Sequence, residues 1–304
     1  MTFDSIPFRP ISICDKELIC GYTRQSDYRN CDFSFANICS WNFLYQTEYA
    51  VVDRMLLIRF RIDEGRIAYM MPSGDGDLRQ AIRRIESDAE SLGHTLCLLG
   101  VSAHSCGVLE QLFPGEFKFH AERDYFDYIY LRANLLNLTG KKFQSKRNHI
   151  NRFIQTYPDY RYTPITSDII PVCLDLEDRW REEIEDPNEQ EAIDNERKSM
   201  IFALNHYEEL GISGGALWVD DRIVAFTFGA PINYDTFGVH VEKADSKIDG
   251  AYTMINKLFV GHIPDTYTYI NREEDLGLPG LRKAKLSYHP DILLEKYSAI
   301  KYRE

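Results

Sequence analysis

The chain has no apolar run long enough to cross a membrane as a helix. Its longest, such as Leu96–Val101 and Ile223–Phe228, are strand-sized, against the ~18 residues that a span needs. Positive charge is scarce: 35 Lys+Arg stand against 47 Asp+Glu, a net charge of −12. That argues against a protein that coats DNA or an anionic membrane. The N-terminus, MTFDSIPFRPISICDKE, lacks a basic start followed by an apolar stretch, so no secretory leader is expected. None of the seven cysteines (14, 20, 31, 39, 97, 106, 173) forms a CxxC pair. They read as buried or free thiols in a reducing compartment, and the expected location is the cytoplasm. The GDGD loop (74–77) has neither P-loop nor EF-hand spacing, and no metal site is legible. Core material is present: 44% of the residues are hydrophobic and 13% aromatic, which excludes wholesale disorder.

Periodicity divides the chain into two similar series of elements. In the first, helical signals over 11–30 and 33–46 precede β-like runs at Tyr49–Val52, Met55–Ile62 and Arg66–Tyr69. Asp63-Glu64-Gly65 supplies the turn between the last two. Leu78, Ile82, Ile85 and Ala89 share a helical face; Leu96–Leu99 is a strand, 104–112 a helix, and 117–130 holds further strands. The second series begins with a helix over 140–156, a strand near 160–165, a helix from about Ser167, and another over 189–210 that stops at Gly211. Strands Gly215–Val219, Ile223–Ala230 and Thr236–Lys243 follow, then a helix over 250–262 and strand Tyr267–Asn271. A helix near 279–286 and a strand near 297–302 complete it. Hairpins mixed with strand–helix–strand crossovers predict an α/β (α+β layered) protein with mixed sheets, in two tandem units, 1–135 and 136–304.

Three stretches could carry chemistry. The loop ADSKIDGAY (244–252) runs from a strand into a helix, where N–H groups around Gly250, Ala251 and Tyr252, with Lys247, suit a phosphate. The plainer reading is an ordinary strand–helix loop. The second stretch, GKKFQSKRNHINR (140–152), has five Lys/Arg and no acid. On a helix, Phe143, Arg147, Ile150 and Ile154 form one stripe, flanked by Lys142, Lys146 and His149. Arg147 there needs an acidic partner or an anionic ligand. The alternative pairs these cations with the stretch 175–197, which holds 11 Asp/Glu against 3 Arg. The third stretch, YINREEDLGLPGLRKAKLSYHP (269–290), puts Arg272, Glu273, Glu274 and Asp275 at a strand's C-terminal end, where clefts lie. A carboxylate there could take a proton from an attacking amine or hydroxyl. Lys285 or Arg282 could meet a phosphate or an oxyanion; a structural knot of salt bridges competes. His240 reads as a satisfied strand residue.

"LTGKKFQSKRNHINRF" (138–153), "VHVEKADSKIDGAYTMINKLF" (239–259) and "YINREEDLGLPGLRKAKLSYHP" (269–290) resemble the C-terminal domain of phosphatidylglycerol lysyltransferases. More closely, they look like an uncharacterised bacterial family grouped with that domain. Lys285, Tyr288, Pro290, Lys296 and Tyr297 are similar to the lysyltransferase ending. Lys285 also looks like the lysine of the Phe–Lys pair in Fem-type aminoacyltransferases. The resemblance implies two tandem GNAT-like acyltransferase domains, the active one second. It also implies acyl or aminoacyl transfer to an amine or hydroxyl from an anionic donor, aminoacyl-tRNA or acyl-CoA, used as co-substrate with no tightly bound cofactor. Lys142, Lys146, Arg147, Lys247, Gly250, Ala251, Tyr252, Arg272 and Arg282 would bind that donor; Lys285, Glu273, Glu274 and Asp275 would serve catalysis. The alternative is a binding or interaction module that keeps the fold without catalysis. Thr253 and Ser287 depart from the lysyltransferase pattern, and the flippase half is absent. Those departures weaken lipid lysylation more than acyl transfer as a class. Peripheral contact with a membrane stays open, and DNA is not an expected partner.

Overall fold

A computed structural model describes residues 5–62, 65–182 and 190–302. The turn expected at Asp63-Glu64 and part of the acidic stretch, 183–189, lie outside the described residues. The first strands along the chain are β1 (Arg9–Pro10), β2 (Glu48–Val52), β3 (Met55–Arg61), β4 (Ile67–Tyr69), β5 (Ser73–Gly74), β6 (Cys97–Ser102) and β7 (Phe117–Ala121). Then come β8 (Asp127–Leu131), β9 (Arg161–Pro164), β10 (Ser213–Val219), β11 (Arg222–Pro231), β12 (Thr236–Ala244), β13 (Tyr269–Asn271), β14 (Ile292–Leu294) and β15 (Lys296–Lys301). The helices are α1 (Lys16–Thr23), α2 (Phe35–Ser40), α3 (Asn42–Tyr45), α4 (Leu78–Ser91), α5 (Ala103–Leu112) and α6 (Arg132–Asn137). They continue as α7 (Gln144–Thr156), α8 (Ile170–Glu182), α9 (Gln190–Asn205), α10 (Tyr207–Leu210), α11 (Ala251–His262) and α12 (Pro279–Leu286).

The strands form two mixed sheets, as the hairpin-and-crossover pattern predicts. The first has the order β1-β2-β3-β4-β6-β15-β7, with β5 on β3; the second is β14-β8-β13-β12-β11-β10-β9. Both halves follow one plan. Antiparallel hairpins come first, then a parallel pair bridged by a helix: β4–α4–β6 and β12–α11–β13. The hairpin turns at Asp53-Arg54 and Asp220-Asp221 have positive φ at both central residues, the conformation that matches strand twist in a two-residue hairpin. Each half then sends its last strand into the other half's sheet. β8 inserts between β13 and β14, and β15 between β6 and β7. Sheet membership therefore changes between Ala121 and Asp127, ahead of 135/136, and Lys296–Lys301 returns to the first sheet.

Local sequence accounts for the elements that matter to the site. β11 is buried along nearly its whole length because α11 covers one face of its sheet and the α2/α8 layer the other. Helix α7 departs from the expected stripe: Phe143, Ile150 and Phe153 are buried, whereas Ile154 is 39% exposed. Residues 141–143 form a 3₁₀ turn before α7 begins, so the apolar face follows Ile150 and Phe153 rather than a uniform α period.

The exchanged strands meet at a buried charge. Lys296 of β15 sets its Nζ 3.0 Å from Asp127 of β8, 2.9 Å from Asp32 and 3.7 Å from Glu274. Asp127 also accepts the Cys31 and Asn271 amides at 2.7 and 2.8 Å. Burial works against charge on Lys296, but Asp127, Asp32, Cys31 and Glu274 outweigh it and raise its pKa well above the usual lysine value. Removing one partner of such a group strands the others. Lys296→Ala should lose about 3–5 kcal/mol of unfolding free energy in urea; a loss under 1 kcal/mol would exclude this cluster as the clamp.

Candidate functional site

The second sheet opens where β12 and β13 part. They pair only through Thr236–Gly238 and Tyr269–Asn271, after which β12 runs on to Ala244. Past Asn271 the chain stays bonded to β8 alone: the Arg272 amide donates to Tyr128 and the Tyr128 amide to Glu273. The turn 272–275 thus lies beside a gap in the sheet, and its successive side chains leave in different directions.

Arg272 points to the α11 side. Its guanidinium pairs with Glu242 at 2.8 Å and lies 4.7 Å from the centre of the Tyr288 ring. Its second terminal nitrogen is buried with no hydrogen-bond partner among the described residues. Lys146 of α7 sits on the same ring, Nζ 3.8 Å from its centre. Burial, and then the like charge of Arg272, bring the Lys146 amine down to about 8. Lys146 and His149 line one side of a pocket of about 220 Å³, and the 245–253 loop lines the other. Gly250 makes this packing possible. Its φ is +85°, and a Cβ there would lie 2.7 Å from the His149 carbonyl oxygen. The loop's acids are neutralised: Asp245 pairs with Arg222, and Asp249 with His149 and Arg152. The three stretches singled out in the sequence therefore meet, through Lys146, the 245–253 loop, Arg272 and Tyr288.

Glu273 points to the opposite side, towards α2. Its Oε1 accepts from Asn37 Nδ2 at 2.8 Å and contacts His240 Nδ1 at 2.7 Å. Among the described residues Oε2 has no partner, and the side chain is 22% exposed. His240 in turn meets Ser34 Oγ at 2.9 Å. The sequence marks His240 only as a satisfied strand residue and does not mark Ser34 or Asn37. Ser34 lies 206 residues from its partner, and nothing local marks it.

Several expected residues have other work. Lys285 is buried, and its Nζ donates to the carbonyl oxygens of Arg272, at 2.6 Å, and Glu274. It braces the turn from beneath and does not face the gap as an oxyanion donor would. Arg147 needs neither acid nor anion, because it donates to the carbonyls of Leu138 and Gly140. Asp275 is enclosed by Arg282, Arg123 and Tyr128. Burial would raise its pKa, but hydrogen bonds from Arg282, Tyr128 and the Gly277 amide outweigh that and hold it well below the carboxylate range. Arg282 is correspondingly bound to Asp275 and Asp124, and Glu274 belongs to the Lys296 cluster. These contacts are the salt-bridge knot that competed with a site in the sequence reading. Lys142 is exposed, its Nζ 5.0 Å from the Phe143 ring, and Lys247 does not line the pocket. The Ala251 amide donates to Ile248, so it is not available to a phosphate; Gly250, Ala251 and Tyr252 do line the pocket. Cys31, Asp127 and Glu274 bring ligand atoms within 4.8 Å of one another, as a metal would require. The Lys296 ammonium, however, lies within 3.7 Å of all three and already supplies the positive charge.

The family described as phosphatidylglycerol lysyltransferase, C-terminal, matches residues 23–300, and the chain belongs to it. A conserved protein of unknown function from Bacteroides thetaiotaomicron is 55% identical in sequence. It superposes with a TM-score of 0.94, over 98% of this chain and 100% of that one. The C-terminal domain of a putative lysylphosphatidylglycerol synthetase from Agrobacterium fabrum is 12% identical, with a TM-score of 0.65 over 96% and 92% of the two chains. A tandem GNAT protein from the clavulanic acid biosynthesis pathway is 10% identical, with a TM-score of 0.52 over 99% and 100%. The doubled fold is therefore tandem GNAT-like. The chain also matches an uncharacterised protein of Mycoplasmoides gallisepticum at 26% identity over 174 residues, 56% of this chain and 54% of that protein's length. Among the described residues no helix is long and apolar enough to cross a membrane.

The pairing of Lys146 with Arg272 has a direct readout. The pH dependence of Lys146 acylation, followed by peptide mass spectrometry, should give a midpoint near 8. The midpoint should rise in Arg272→Gln, which removes the like charge. An ordinary lysine midpoint in the wild type would place Lys146 outside the half-buried pocket.

Proposed function

We propose, from its membership of the phosphatidylglycerol lysyltransferase C-terminal family, that this chain transfers an acyl or aminoacyl group. The donor carries adenosine and phosphates, as aminoacyl-tRNA and acyl-CoA do, and the acceptor is an amine or hydroxyl. The carrying observation is the gap between β12 and the 272–275 turn, with cations on one side and a half-free carboxylate on the other. A phosphate of the donor would sit by Lys146, at the loop that starts α11. The volume suits a phosphate or diphosphate rather than a whole nucleotide. The acyl end would pass through the gap to the α2 side, where Glu273 Oε2 takes the proton of the attacking acceptor. Lys285 would act as a brace for the turn, and the second unit would hold most of the site, with Asn37 and Ser34 supplied by the first. A cytoplasmic location follows from such a donor.

A thermal-shift and turnover screen with CoA thioesters and charged tRNAs tests the reading. Glu273→Gln should retain donor binding and lower turnover about 10²–10⁴-fold. Lys146→Met should weaken donor binding about 10- to 100-fold, as expected for a lost charged hydrogen bond. The lysine must be protonated to hold a phosphate, so donor affinity should be full below the pH at which free Lys146 titrates, about 8, and fall above it. Donor binding without turnover in the wild type would instead support the non-catalytic module.

A further inference from the structure

Ser34, His240 and Glu273 form one row: Ser34 Oγ lies 2.9 Å from His240 Nε2, and His240 Nδ1 lies 2.7 Å from Glu273 Oε1. We propose that this row is an inverted relay, in which His240 is a positioning residue that fixes Glu273 as the base and Ser34 is the anchor. The inference rests on the transferase reading above.

Exposure sets the direction of the row. Ser34 is 0% exposed, the His240 side chain 5% and the Glu273 side chain 22%. In a serine nucleophile triad the hydroxyl faces substrate and the carboxylate is buried; here that order is reversed. The Ser34 amide is also engaged, donating to the Cys31 carbonyl at 3.0 Å, so it cannot help to form an oxyanion hole. The working end is therefore the carboxylate.

The fold supplies this geometry on purpose-built backbone. Phe228 pairs with Val241 and Gly229 with Val239, which leaves His240 as the extra residue of a bulge in β12. Phe237 and Val239 pack with α11, so His240 faces the α2 side, to which the bulge also brings Val241; Gly238 leaves room for the ring, since a Cβ there would lie 2.9 Å from His240 Cε1. With His240 and Asn37 both on Oε1, rotation of the carboxylate is restricted, and Oε2 is left without a hydrogen-bond partner among the described residues on a side chain that is 22% exposed. The row requires a neutral imidazole that carries its hydrogen on Nδ1 and accepts the Ser34 hydroxyl hydrogen at Nε2.

The step balances on Glu273 alone. As the acceptor's nitrogen or oxygen bonds to the donor carbonyl carbon, its N–H or O–H bond breaks and an O–H forms on Oε2. When the bond from that carbon to the leaving oxygen or sulfur breaks, the same proton passes to the leaving group. His240 keeps its Nδ1 hydrogen throughout.

Three readouts test the row. Long-range ¹H–¹⁵N spectra of protein labelled with [¹⁵N]histidine should show His240 with its hydrogen on Nδ1; a hydrogen on Nε2 in the neutral ring would overturn the proposal. With whichever donor, aminoacyl-tRNA or acyl-CoA, supports turnover, His240→Leu should lower kcat about 10- to 100-fold at unchanged donor KM. His240→Asn, which can still donate towards Glu273, should restore most of it. Equal loss in both variants, or a change confined to KM, would assign His240 a merely structural role. A fluorophosphonate probe should leave Ser34 unlabelled; a mass shift on Ser34 would make it a nucleophile and reverse the row. Full turnover in Glu273→Gln would remove Glu273 as the base and overturn the proposal; absence of turnover in the wild type would sink the transferase reading instead, and the tautomer measurement would still judge the row.

Discussion

A single ammonium group decides where the two halves of this chain meet. Lys296 enters the first sheet from the far end of the sequence, and its Nζ sits among Asp127, Asp32 and Glu274. A buried ammonium loses its hydration at a cost of several kcal/mol and is tolerated only where acids surround it. Three carboxylates exceed what one cation can balance, and the excess is relieved in place. Burial pushes Asp127 up to about 6 against the pull of Lys296, with Glu274 and Asp32 adding to the rise. The Cys31 thiol, raised by burial and then by the same acids, keeps its proton and donates to Asp127 and Glu274. The cluster joins β8, β15, the segment before α2 and the turn after β13. Neither strand can leave its adopted sheet without exposing or stranding a charge.

Glu274 extends that constraint to the site. Its neighbours in the turn have no freedom to drift once it is held, and their destinations are all different. Arg272 goes to the Tyr288 side and Glu273 to the His240 side, while Asp275 is locked to Arg282 and Tyr128. Lys285 bonds the carbonyls of Arg272 and Glu274 from below. The backbone pays for this divergence with a φ of +59° at Glu273 and +51° at Leu276, each of order 1 kcal/mol or more for a residue with a Cβ. Strain of this kind survives only where the surroundings over-determine it, and here they do. The carboxylate and the guanidinium end on opposite sides of one gap because they are consecutive on a strand continuation held at both ends.

Periodicity made most elements legible, since burial of a face follows from spacing alone. Leu78, Ile82, Ile85 and Ala89 pack as a stripe of α4 for that reason. The exchange of β8 and β15 was not legible, because an alternating pattern states that a strand is covered and not which strand lies beside it. The cations were visible, but their partners were not: Arg147 and Lys285 are satisfied by main-chain carbonyls whose direction depends on turns at Leu138 and Glu273. His240 reads as a satisfied strand residue from the sequence, and both of its ring nitrogens do meet partners, Ser34 and Glu273. Alternation places it opposite Phe237 and Val239, but says nothing of the serine, 206 residues away, that lies beside it.

The polarity of the two sides follows from which charges are already matched. On the α11 side, the loop's acids are each held by a basic neighbour, Asp245 by Arg222 and Asp249 by Arg152 and His149. Lys146 rests on the face of Tyr288 with no hydrogen-bond partner among the described residues, and one nitrogen of Arg272 has none there either. Burial, and then the like charge of nearby Arg272, bring the lysine amine down to about 8, whereas Arg272, buried but paired with Glu242, has its own pKa raised. On the proposed reading, a phosphate in the pocket would give the Lys146 ammonium its counter-charge. On the α2 side the imbalance has the opposite sign. Glu273 keeps one oxygen free of hydrogen-bond partners among the described residues, so that side favours a group that arrives with a hydrogen to give. An anionic donor and a protic acceptor would thus be sorted to opposite sides of the sheet by charge before any bond is made.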